Sequence, residues 1–122
     1  MRTVRTSDFL TVLDVQAAAP HYGRIITTLP VGEASLDPHH TEYEAGPTGF
    51  LFANGFGGNR TFLFDVRNPL KPTVMRSFGP LESLTFLHSF ARLPNGHVLA
   101  IFQGHGPQNA APGRPPGSVF AR

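Results

Sequence analysis

An all-β fold made of repeated four-stranded units, the arrangement of a partial β-propeller, is what this sequence predicts, and three observations carry the prediction. First, 13 Gly and 12 Pro cut the chain into apolar runs rich in Phe, Val, Ile and Leu, each about five to eight residues long and so too short for ordinary helices. Second, the runs are separated by turn chemistry: Asn95-Gly96 suits a two-residue hairpin in which both central residues take positive φ, and Asn54-Gly55 and Gly57-Gly58-Asn59 offer similar freedom. Third, the pattern repeats. Asp8-Phe-Leu-Thr-Val-Leu-Asp-Val15, a loop with Pro20 and Arg24-Ile-Ile-Thr-Thr-Leu29 recur as Arg60-Thr-Phe-Leu-Phe-Asp-Val66, a loop with Pro69 and Pro72, and Thr73-Val-Met-Arg-Ser-Phe78. Such a recurrence marks propeller blades.

Taken in order, strands are expected over residues 9–15, 24–29, 39–44, 50–53, 61–66, 73–78, 86–93, 97–103 and 118–122. Asp14 and Asp65 occupy matching places at strand ends, where a carboxylate accepts hydrogen bonds from the N–H groups of the following turn. Pro69 and Pro72 fix φ and remove donors, so they belong to a connection. Counted as blades, residues 8–29 supply the two outer strands of one, residues 39–78 form a complete one, and residues 86–122 begin a third. The total is about two and a half four-stranded blades. A propeller covers its sheet faces by closing the ring, so open edges are expected at both ends. The expectation is therefore either a piece of a longer chain or a chain that completes itself by self-association.

Composition excludes several classes. The content is 40% hydrophobic with 15% charged residues, which argues against disorder. The 10 Lys and Arg are scattered and the formal charge is only +2, so no basic stripe for nucleic acid is visible. No apolar run approaches the ~20 residues that cross a bilayer, and Met1 is not followed by a signal-peptide core. No membrane partner is expected, and the chain reads as soluble and cytoplasmic, while a longer parent could be exported. With no cysteine, disulfides and thiolate metal sites are excluded.

The segments 8–15, Pro20-His-Tyr-Gly-Arg-Ile-Ile26, His39-His40, 59–66 with Pro69 and Pro72, Phe86-Leu-His-Ser89 and Pro94-Asn-Gly-His-Val-Leu99, in this order, resemble the N-terminal part of the selenium-binding protein / methanethiol oxidase family. The resemblance spans nearly the whole chain. It implies a seven-bladed propeller and, in several members, oxidation of a small thiol by oxygen to formaldehyde, hydrogen sulfide and hydrogen peroxide. It also implies a copper cofactor held by histidines, carried over here onto His39, His40 and His88. Two departures stand out. The cysteine-rich stretch that follows the paired histidines in the family reads Thr41-Glu-Tyr-Glu-Ala-Gly-Pro-Thr48 here, so selenium binding through a thiolate is excluded. The second histidine that some members place soon after the position of His88 is replaced by Ser89, Phe90 and Ala91.

The residues also speak for themselves. The first strand of each blade lines a propeller's channel, and by the blade count His40 and His88 fall on first strands of successive blades, where they can converge on a soft or borderline ion. The plain reading is that Pro38-His39-His40 is a loop-to-strand junction and His88 a polar wall residue. Strand alternation puts His40, Glu42 and Glu44 on one face. There the carboxylates either orient a ligating imidazole or act as a base, or simply form a solvated channel wall. His21, His97 and His105 lie in or beside turns and have no assigned role. The glycine-rich stretch 54–59 joins two strands and opens no helix, so it is a hairpin and no phosphate loop. Residues 104–117 read as a long surface loop. Two functions follow: a copper-dependent oxidase of small thiols, inactive until its ring is complete, or a non-catalytic propeller that binds proteins or ligands. Fold alone does not choose between them.

Overall fold

The structure is a computed structural model describing residues 7–43, 45–106 and 118–121. Among the described residues nine strands follow one another: β1 Phe9–Leu13, β2 Ile25–Pro30, β3 Pro38–Thr41, β4 Phe50–Gly55, β5 Arg60–Asp65, β6 Thr73–Phe78, β7 Leu84–Arg92, β8 Val98–His105 and β9 Ser118–Ala121. All pair antiparallel with their sequence neighbours, giving a two-stranded sheet β1-β2, a four-stranded sheet β3-β4-β5-β6 and a three-stranded sheet β7-β8-β9. There is no helix among the described residues. The apolar runs at 61–66 and 97–103, on which the blade count depends, are both strands.

The burial pattern follows from period-two alternation. Along β8, Val98, Ala100, Phe102 and Gly104 are buried while Ile101, Gln103 and His105 face outward. One core joins the first two sheets, with Leu36, Phe62 and Phe64 buried against Leu10, Leu29 and Val31. A second gathers Leu87, Ala100 and Phe102 with Phe78, Leu81 and Phe90. Phe52 of β4 stacks on Phe90 of β7 at 5.6 Å, so the four-stranded sheet packs face to face with the third. Each fully buried Phe contributes on the order of 1.5–3 kcal/mol. The first sheet leaves Phe9, Leu13, Ile25 and Ile26 exposed.

The expected turn chemistry at Asp14 and Asp65 is present: Asp14 Oδ1 accepts from Gln16 N and Asp65 Oδ1 from Arg67 N, each at 3.0 Å. The glycine-rich stretch is a hairpin loop, and its glycines admit Leu36. A Cβ on Gly55 would lie 2.7 Å from Leu36 Cβ. The Asn95-Gly96 hairpin differs from expectation. Leu93 N donates to His97 O and Gly96 N to Leu93 O, and Gly96 takes φ +86° while Asn95 does not turn positive. This is a three-residue loop, a type I turn followed by a left-handed glycine, because Pro94 presets the first central position of that turn. Since nothing among the described residues lies within 4 Å of a Cβ at Gly96, Gly96→Ala carries the left-handed backbone penalty. It should lower stability by about 1–2 kcal/mol, read as a reduced urea midpoint with an unchanged slope.

Candidate functional site

Two irregularities in strand pairing build the site. In the β3–β4 ladder Pro38 faces Gly55 and Thr41 faces Ala53, so His39 and His40 together oppose the single residue Asn54. In the β7–β8 ladder Leu87 faces Phe102 and Ser89 faces Ile101, leaving His88 as the extra residue. Both are β-bulges, which re-aim side chains that regular alternation would send to opposite faces. The consequence is that His39 and His40, adjacent in sequence, turn their rings to the same place. Their centroids are 4.8 Å apart, and His88 lies 5.1 Å from His39 and 4.4 Å from His40. The candidate ligand nitrogens of all three fall within 4.8 Å of one another.

Asn54 holds this junction and is the residue that sequence reasoning missed. Its side-chain Oδ1 accepts from His39 N at 3.1 Å and His40 N at 2.7 Å, and its Nδ2 donates to Leu87 O at 2.8 Å and His88 O at 2.9 Å. Only 3% of the residue is exposed, and the amide uses two acceptor and two donor directions, its full complement. The available signal was a polar residue two positions after Phe52, on the inward face of an apolar strand. Its neighbour Gly55 made it read as a turn residue.

A second asparagine braces the approach to His88. Asn59 Oδ1 accepts from Phe86 N at 2.7 Å, and Phe86 adopts φ +54°, a conformation that costs an aromatic residue energy and persists only where its surroundings hold it. Phe56 walls the imidazoles, 5.3 Å from His39 and 5.6 Å from His88, and itself packs on Phe86 at 5.6 Å. His39 and His40 are exposed and His88 is half-buried. Burial first, and then the neighbouring His40 and His39, hold His88 below the ordinary imidazole value. That favours the neutral ring, whose lone pair is free to bind a metal.

Glu42 lies elsewhere. The strand expected over 39–44 ends at Thr41, and the expected solvated wall is replaced by burial: Glu42 is 4% exposed. Its Oε2 accepts from Phe52 N at 2.8 Å and from Arg92 Nη2 at 2.9 Å, and among the described residues it makes no hydrogen bond to a histidine. Glu44 lies outside the described residues. A cleft of about 520 Å³ opens beside Glu42, Phe90 and Arg92, larger than the open cavity of about 270 Å³ bordered by His39, His40 and Asn54. The imidazoles, with candidate ligand nitrogens within 4.8 Å of one another, are nonetheless the group with the chemistry.

No family model matches the chain. A curated methanethiol oxidase from Hyphomicrobium sp is 30% identical over 96 residues, covering 76% of this chain and 21% of its own length. The chain therefore spans about a fifth of that relative. The X-ray structure of a hypothetical selenium-binding protein from Sulfolobus tokodaii superimposes with a TM-score of 0.69 at 20% identity, over 84% of this chain and 26% of that one. At that identity the likeness bears on fold, and it agrees with the all-β, partial-propeller arrangement of the sheets.

Proposed function

Starting from the chain's relation, over part of their length, to the selenium-binding protein / methanethiol oxidase family, we propose that it is a segment of a copper-dependent thiol oxidase and contributes His39, His40 and His88 to the metal site. The observation that carries this reading is the convergence of three imidazoles from two sheets, with ligand atoms within 4.8 Å. The donor set fits copper in type. Imidazole nitrogens are good ligands for it, and this chain itself contributes no thiolate. Bound copper would supply one-electron and oxygen chemistry.

The chain's own residues do the rest. His39 and His40 present two nitrogens from one bulge, His88 presents a third from the next sheet, and Phe56 and Phe86 line the approach with apolar surface suited to a small thiol. The remaining blades of a ring would add the other ligands and exclude water, so the chain alone is expected to bind metal without turning over thiol. Copper content by mass spectrometry, on protein of known oligomeric state dialysed against Cu²⁺, tests the reading. Near one copper per chain with nitrogen hyperfine structure in its electron paramagnetic resonance spectrum is expected. A metal-free protein would overturn it. That outcome would favour the second reading, a non-catalytic propeller unit that binds proteins or ligands through the face on which His39 and His40 lie exposed.

A further inference from the structure

We infer that Asn54 is the positioning residue of the histidine cluster, an inter-sheet clamp that sets the distance between the His39-His40 pair and His88; the metal part of this inference rests on the reading above. Three facts lead to it. The two backbone N–H groups at the β3 bulge point at one oxygen, and a side chain supplies that oxygen. The same amide's nitrogen spans to β7 and bonds two successive carbonyls, Leu87 O and His88 O, at the second bulge. No residue of β4 other than Asn54 faces the bulged pair in the ladder, since Gly55 and Ala53 face Pro38 and Thr41.

A backbone carbonyl from β4 could not do this. It offers no donor, so it could accept from β3 but would leave the carbonyls of β7 unbonded. An amide carries acceptor and donors on one rigid plane, and buried it is held in one orientation by four hydrogen bonds. The relative placement of His40 and His88, with centroids 4.4 Å apart, thus depends on a group whose four hydrogen bonds all go to backbone atoms. Partners of this kind, which orient ligands without binding the ion, typically change metal affinity by about 10–100-fold when removed.

Two variants separate the halves of the clamp. Asn54→Asp keeps the acceptors for His39 N and His40 N and loses the donors to Leu87 O and His88 O; Asn54→Leu keeps volume and loses both. Circular dichroism and size-exclusion chromatography establish that each is folded. In the metal-free protein, nuclear Overhauser contacts between the His40 and His88 rings are expected in the wild type and are expected to be lost in both variants, while contacts between His39 and His40 survive in Asn54→Asp alone. With Cu²⁺ as the probe, Asn54→Asp is expected to bind about 10–100-fold more weakly, with one fewer nitrogen in its resonance spectrum. Retained His40–His88 contacts in Asn54→Asp would overturn the inference whatever the metal result. If the wild type takes no copper while the ring contacts behave as expected, the clamp stands and the copper reading falls. Copper bound by wild type and Asn54→Asp with equal affinity and identical spectra would sink the clamp and leave the copper reading intact.

Discussion

Replacing Arg92 by alanine is expected to lower stability by about 3–5 kcal/mol, the usual cost of leaving one member of a buried ion pair without its partner. The Glu42 side chain is only 2% exposed and that of Arg92 19%, with Nη2 and Oε2 2.9 Å apart. Arg92 also donates to Phe50 O at 3.3 Å, so its guanidinium ties β7 to the end of β3 and to β4. With Arg92 gone, the Glu42 carboxylate would keep Phe52 N but lose its counter-charge, while Oε1 has no hydrogen-bond partner among the described residues. At a urea slope of about 1–3 kcal/mol/M the midpoint should fall by at least about 1 M. The Glu42→Gln, Arg92→Ala double variant should recover much of the loss, because a neutral amide is cheaper to bury than an unpaired carboxylate. A loss below about 1 kcal/mol in Arg92→Ala would show that the pair behaves as an exposed one and that water reaches Glu42.

His88→Ala should weaken Cu²⁺ binding more than either His39→Ala or His40→Ala, by roughly 100-fold or more, since even indirect partners of a ligand are worth about 10–100-fold. The reason is geometric. His39 and His40 come from one bulge, so removing either leaves the other to supply a nitrogen from β3, whereas His88 alone brings a nitrogen from β7. It is also the ring whose surroundings favour the neutral, metal-binding form. Isothermal titration of the three single variants checks the order. Equal losses at all three positions would mean that the rings contribute alike, and no loss in His88→Ala would remove β7 from the site.

Much of the fold was legible because strand signals are local. Apolar runs cut by Gly and Pro, with the repeat between them, gave nine strands within a few residues of those found, and hairpins that turn at Asp14 and Asp65 recur. Both carboxylates cap their turns as their spacing implied. The misses share a different character. Pro94 shifted the Asn95-Gly96 hairpin from two loop residues to three, a case of one turn residue overruling a familiar dipeptide. Glu42 was read by alternation onto the channel face, but it is buried beneath Arg92, fifty positions away in sequence.

The histidines show where the boundary lies. The sequence by itself placed His40 and His88 on the first strands of successive blades, and determined that this chain supplies no thiolate. Only the tertiary structure decided that they meet. Alternation is a property of one strand, but a bulge is a property of two, set by which residue of the partner strand stands opposite. His39 and His40 face one way because Asn54 alone opposes them, and His88 reaches them because the same amide bonds its carbonyl. That contact joins residues 34 apart across two sheets, and no pattern within either strand encodes it.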